Sequence, residues 1–265
     1  MTPEPPQTVL ATTDGATISL TTQGSGPHLV CVPSVASSRS IDPQPDLAAT
    51  LATHFTVTTY DRRGTGQSTL PEGAGPDDYA VEQEIDDLAL IAQHLGGPVD
   101  VYGFSSGADL ALLAAQAGAP IRRLYLLEPP LFEAGSLRDE RSRMRELVEQ
   151  DRQAARDYYL RDVVGIPAEI VEQIPTTDQH LADVPASLHE LAFLPGCTAQ
   201  RFHGLETPTL LMVSSTTAPQ LRQWAADLEN ALGSATLREL PGEWHGVPAA
   251  TQLTAMLAAA DHDWH

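Results

Sequence analysis

Apolar and polar positions alternate at the start of the chain, where residues 8–12 and 16–21 flank Asp14-Gly15, a dipeptide suited to a tight turn, and predict a β-hairpin. Three uninterrupted β-branched runs follow at residues 28–32, 55–60 and 99–103. Short continuous apolar runs of this kind fit strands of a parallel sheet buried on both faces, with helices between them. Residues 46–54 supply a short helix. Val81, Ile85, Leu88, Ile91, Ala92 and Leu95 then recur at three- and four-residue spacing before Gly96-Gly97-Pro98, the pattern of an amphipathic helix with a stop signal. After Phe104 the pattern switches to a small-residue helix over 108–117, then to a strand over 121–127 that ends at Glu128-Pro129-Pro130.

No strand pattern is present from Leu131 to about Glu206. Residues 138–161 are charged and helix-prone, with seven of the 15 arginines beside six acids, a spacing that reads as solvent-facing ion pairs. Strand and helix alternation resumes with 208–214, 220–232, 235–240 and 249–260, and the tail 261–265 is expected to fray. The prediction is an α/β core from residues 1–130 and 207–265, interrupted by a helical lid or cap over 131–206.

The sharpest chemical signal is Gly103-Phe104-Ser105-Ser106-Gly107, a G-x-S-x-G between a buried strand and a helix. Small residues there permit a very tight strand-to-helix turn, which can hold a serine in a strained conformation with its hydroxyl above the sheet, at the positive end of the helix dipole. A serine hydroxyl is a poor nucleophile at neutral pH and needs an imidazole to take its proton. Among the nine histidines, His245 alone follows a core strand directly and precedes the last helix, in Pro241-Gly242-Glu243-Trp244-His245-Gly246.

With this elbow, with Tyr60-Asp61-Arg62-Arg63-Gly64-Thr65-Gly66-Gln67-Ser68, with the strand ending at Glu128, and with the His245 loop, the chain resembles the α/β-hydrolase family over nearly its whole length. That resemblance implies a mostly parallel central sheet of about eight strands with helices on both faces and a lid. It also implies the order nucleophile, acid, histidine. The commonest position for the acid, after the penultimate strand, is empty here: Ser214-Ser215-Thr216-Thr217-Ala218 holds no carboxylate, and none occurs before Asp227. Some members place the acid one strand earlier, which points to Glu128 as the residue that orients His245. The oxyanion hole implied by the resemblance uses the backbone N–H groups of Ser106 and Val35.

Composition narrows the chemistry. The 15 cations are all arginine and stand against 35 acids, a net charge of −20, which excludes a basic nucleic-acid binder. Without lysine, Schiff-base, pyridoxal and Walker-type phosphate chemistry are removed. Two cysteines do not make a disulfide framework, and the acidic, Pro-rich start lacks a signal-peptide pattern, so a cytoplasmic protein without a membrane segment is expected. Neither a metal-ligand cluster nor a dinucleotide fingerprint is found, and no cofactor is expected. The predicted function is a serine hydrolase, monomeric or homodimeric, that cleaves a small to medium ester, thioester or lactone through an acyl-enzyme on Ser105. The alternatives are C–C cleavage, lyase, cyclase or cofactor-free oxygen or peroxide chemistry on the same scaffold, or a binding protein with little turnover.

Overall fold

A computed structural model describes residues 6–34, 37–41, 44–75 and 78–260. Eight strands form one sheet in the order β1-β2-β4-β3-β5-β6-β7-β8. β1 (Gln7–Ala11) and β2 (Thr17–Gly24) make the predicted hairpin, and β2 lies antiparallel to β4 (Thr56–Tyr60). From there β3 (His28–Val32), β5 (Val99–Phe104), β6 (Ile121–Leu127), β7 (Thr209–Ser214) and β8 (Ala235–Leu240) run parallel with β4, so their C-terminal ends share one edge of the sheet. Loops at that edge are where open α/β sheets place their ligand sites.

Successive strand residues point to opposite faces, and the two faces carry separate cores. Val30, Val101, Leu124, Leu126 and Leu211 pack with α2 (Val81–His94), α3 (Ser106–Gln116) and α9 (Pro219–Ala231). Leu29, Cys31, Tyr102, Tyr125, Leu210 and Met212 pack on the other face with α1 (Gln44–Leu51) and α10 (Ala249–Ala260). Uninterrupted apolar strands are the consequence of this double burial, as expected from the sequence pattern. Several boundaries differ from expectation, β2 among them, which spans Thr17–Gly24 rather than 16–21. Helix α1 spans Gln44–Leu51 rather than 46–54, and α3 starts at Ser106 rather than 108 because the helix winds directly out of the tight turn at Ser105.

Between β6 and β7 stand α4 (Arg138–Gln150), α5 (Arg152–Tyr158), a π-helical turn (Tyr159–Val163), α6 (Ala168–Val171), α7 (Asp178–Asp183), a 3-10 turn (Val184–Ala186) and α8 (Ser187–Phe193). The helix-prone run 138–161 is not one helix. Asp151 leaves helical geometry at φ −157° and caps α5, its carboxylate accepting the N–H groups of Gln153 at 2.9 Å and Ala154 at 3.1 Å. Met144, Leu147, Ala155, Tyr159, Val184, Leu188 and Leu191 give this segment a core of its own. Its two ends are tied together where Phe132 N–H donates to the Cys197 carbonyl and Gly196 N–H to the Phe132 carbonyl, each at 2.9 Å. Among the described residues, no helix is long and apolar enough to cross a membrane.

Candidate active site

Ser105 occupies the turn from β5 to α3 with φ 51° and ψ −128°, a conformation that non-glycine residues adopt at a cost of roughly 1–3 kcal/mol. The turn is closed by what flanks it. A Cβ on Gly103 would lie 2.6 Å from the Ala108 Cα, and one on Gly107 would lie 2.5 Å from the Val32 carbonyl oxygen and 2.7 Å from that of Pro33. The two glycines of the motif therefore let the helix press against β5 and against the end of β3. The Ser105 N–H donates to the Leu127 carbonyl at 2.9 Å and holds the turn against β6.

One residue further along β6, Glu128 also has positive φ, 50°, and its N–H donates to the Met212 carbonyl of β7 at 3.0 Å. Its side chain is fully buried. One carboxylate oxygen, Oε1, accepts the Ser214 backbone N–H at 2.7 Å, and the other, Oε2, bonds Nδ1 of His245. His245 sits in a turn closed by reciprocal bonds between Glu243 and Gly246, in which Trp244 is again at positive φ, 49°. The Trp244 N–H donates to Thr216 Oγ1 at 2.8 Å, and the His245 ring lies 4.8 Å from that of Phe104 and 5.5 Å from that of Trp244. Three loops at one edge of the sheet thus converge, each through strained backbone at or next to the residue predicted from sequence. With Nδ1 bonded to a carboxylate, the imidazole carries its proton there and presents the lone pair of Nε2.

Ser105 and His245 line two adjoining cavities. The larger, of about 400 Å³, is walled by Ser34, Ser37, Ile41 and Phe104 from the core, and by Arg156, Tyr159, Leu160, Val164, Ile166, Ile174, His180, Val184 and Ser187 from the helical segment. The smaller, of about 250 Å³, is walled by Phe132, Val163, Leu194, Leu221 and Trp224 among others, and shares Tyr159, Val164 and Trp244 with the first. Both are mostly apolar, so an uncharged acyl or alkyl group entering them would lose water at little cost.

Beneath Ser106 lies a buried ion cluster. Arg62 bonds Glu84 of α2 and Glu190 of α8, and the Glu190 carboxyl also hydrogen-bonds the side chain of Ser106. Tyr79 donates to Glu84 at 3.0 Å and stacks on His189, whose imidazole burial pushes down to about 4. Burial also holds the Glu190 and Asp109 carboxyls above the usual range, Arg62 opposing it at Glu190. The polar turn after β4 joins the same region, with Asp61 accepting the N–H groups of Arg39 at 2.8 Å and Gln67 at 2.9 Å.

The residue-by-residue outcome is mixed. Ser105, His245 and Glu128 come together. Asp227, the next acid after the penultimate strand, does not, since it lies on α9 and accepts from Gln223 at 2.9 Å. Val35 lies outside the described residues, while Ser106 is the first residue of α3. The arginines of 138–161 divide. Arg143 pairs with Glu146, and Arg161 with Asp162, at the surface, but Arg156 is 8% exposed and lines the larger cavity, contrary to the solvent-facing expectation. It is pulled inward because α5 packs its Ala155–Tyr159 face on the segment's own core. His180, also on the cavity wall, carried no sequence signal beyond an ordinary helix cap.

A family model described as the Alpha/beta hydrolase family matches residues 29–259. The chain belongs to that family. An alpha/beta hydrolase from Sphaerobacter thermophilus is 32% identical and superposes with a TM-score of 0.83 over 96% of this chain and 100% of that one. A hydrolase from Pseudomonas aeruginosa, 20% identical with a TM-score of 0.76 over 97% of this chain and 98% of its own, shares the α/β-hydrolase fold. The uncharacterized hydrolase YraK of Bacillus subtilis is 37% identical over 99 residues, which are 37% of this chain and 35% of that protein. The match therefore spans about a third of that curated relative's length.

Proposed function

We propose that this α/β-hydrolase family member is a serine hydrolase that cleaves a small to medium carboxylic ester, thioester or lactone through an acyl-enzyme on Ser105. The observation that carries the reading is the convergence of a strained Ser105 with a His245–Glu128 pair at the mouths of two apolar cavities. Nε2 of His245 takes the proton as Ser105 Oγ attacks the substrate carbonyl, and Glu128 stabilises the imidazolium that forms. The Ser106 N–H, at the start of α3, and that of Val35 hold the developing oxyanion. One such donor is worth about 2.7–4 kcal/mol of transition-state stabilisation. His245 then gives its proton to the leaving alcohol or thiol. Water, deprotonated by the same imidazole, attacks the acyl-enzyme, releases the acid and restores Ser105.

In this reading the segment 131–206 acts as a lid whose side chains shape the acyl and leaving-group spaces. The partner is a small molecule, and neither nucleic acid nor a membrane takes part. The experiment is active-site titration with a fluorophosphonate, together with hydrolysis of short- and medium-chain p-nitrophenyl esters. Labelling and turnover are expected in the wild type and absent in Ser105→Ala and His245→Ala. A wild type that neither labels nor turns over any of these esters overturns the proposal.

A further inference from the structure

The larger cavity departs from the rest of the molecule in charge. The chain carries 35 acids and 15 arginines, yet the described residues that line this cavity include Arg156 and His180 and no carboxylate. Arg156 is held in place from behind. One guanidinium nitrogen donates to Asp157 Oδ1 at 2.8 Å and another to the Ile174 carbonyl at 3.1 Å. Asp157, itself fixed by two bonds from Gln153 Nε2 and 37% exposed, is not among the lining residues. These bonds leave further N–H groups of the guanidinium fork without an assigned acceptor.

His180 is fixed as well. Its Nδ1 accepts the Thr177 backbone N–H at 3.0 Å, which places the ring proton of the neutral form on Nε2 and makes that atom a donor. Burial first, and the neighbouring Arg156 second, lower its pKa, so the two side chains stand close enough to feel one another on the same wall. Ser34, Ser37 and Ser187 line the same space.

We propose that Arg156 and His180 form a carboxylate subsite, so that the preferred substrate carries a carboxylate in addition to its scissile bond, as a monoester of a short dicarboxylic acid does. An anion entering a mostly apolar cavity loses its hydration and is stable there only against charge-assisted donors, which this wall supplies and the remainder of the cavity does not. The apolar side chains of Leu160, Val164, Ile166 and Ile174 on the cavity wall accommodate the methylenes that separate the carboxylate from the ester. The inference rests on the serine-hydrolase reading for its chemistry but not for its binding, and the test separates the two.

In the Ser105→Ala protein, calorimetric titration compares monomethyl glutarate with dimethyl glutarate. The monoanion is expected to bind about tenfold tighter or more, a preference that Arg156→Gln added to Ser105→Ala removes, Arg156→Lys keeps in part, and His180→Ala weakens. In the wild type, the ratio of kcat/KM for mono-p-nitrophenyl glutarate over p-nitrophenyl butyrate should exceed one and fall by a similar factor in Arg156→Gln, mainly through KM. Equal binding of the two esters, binding of neither, or a preference that survives Arg156→Gln overturns the subsite. Should Arg156→Gln fail to fold, the comparison in the parent Ser105→Ala protein and in Arg156→Lys still decides. Selective binding without turnover in the wild type keeps the subsite and removes the hydrolase reading.

Discussion

Ser214, the last residue of β7, donates its backbone N–H at 2.7 Å to the carboxylate of Glu128, which stands at the end of β6. The strand that commonly supplies the acid in the resembling family here supplies a hydrogen bond to it instead. The carboxylate is thereby fixed on one oxygen by main chain and offers the other to His245.

Replacement of Glu128 by glutamine tests that division of labour. The Ser214 N–H requires an acceptor, so the amide oxygen must face Ser214 and the amide NH2 must face His245. The imidazole then accepts at Nδ1 and carries its proton on Nε2, the wrong tautomer for taking a proton from Ser105. A fall in kcat of roughly 10²–10⁴-fold is expected, with KM and the denaturation midpoint little changed. Steady-state kinetics on p-nitrophenyl butyrate and a urea titration measure both, and near-wild-type turnover would remove Glu128 from the mechanism.

Backbone strain at Ser105 makes a second prediction, one of sign. Glycine tolerates φ 51°, ψ −128° and alanine does not, so Ser105→Gly should unfold at higher urea than Ser105→Ala, by up to about 2 kcal/mol once the greater freedom of unfolded glycine is deducted. Both are inactive. The reverse order of stability would show that the turn at Ser105 is relaxed.

Elsewhere in the motif the effect has the opposite direction. An alanine Cβ at Gly107 would meet the backbone oxygens of Val32 and Pro33, neither of which is the flexible end of a side chain. Gly107→Ala must push α3 away from the end of β3, at a cost of about 1–3 kcal/mol. Because the Ser106 N–H moves with the helix, the fluorophosphonate labelling rate should fall further than stability alone would lower it. Thermal unfolding and labelling of the same sample check the pair of effects.

What could be read from sequence follows the periodicity of burial. β3, β5, β6 and β7 feed both faces of the sheet, so apolar residues succeed one another along them, with Asp100 of β5 and Arg122 and Arg123 of β6 as the charged exceptions; Ser105 and Glu128 directly follow such strands, and His245 lies in the turn after β8. The strain at Ser105 is legible from the G-x-S-x-G context, but that at Glu128 and Trp244 is not, because positive φ is signalled by glycine or asparagine and these are neither. Arg156 was misread for a related reason. Alternating charge on a helix marks a solvated face only if the helix runs on, and the cap at Asp151 breaks it and turns Arg156 toward the cavity.

Asp109 lies four residues beyond Ser105, on α3, fully buried, with neither carboxyl oxygen bonded to another residue. Burial, and secondarily the neighbouring Glu190, raise its pKa well above the usual carboxylate range, so the folded protein keeps a proton that the unfolded chain releases near pH 4. Where the native state binds more protons, stability falls as pH rises, by up to about 1.4 kcal/mol per pH unit for one proton, until the folded pKa is reached. The stability that Asp109 contributes is therefore fully present below its unfolded pKa and lost above it. Asp109→Asn, which has no proton to release, should flatten the decline in urea midpoint between pH 5 and pH 8 and overtake the wild type at the alkaline end. Parallel slopes for the two proteins would mean that Asp109 is ionised in the fold.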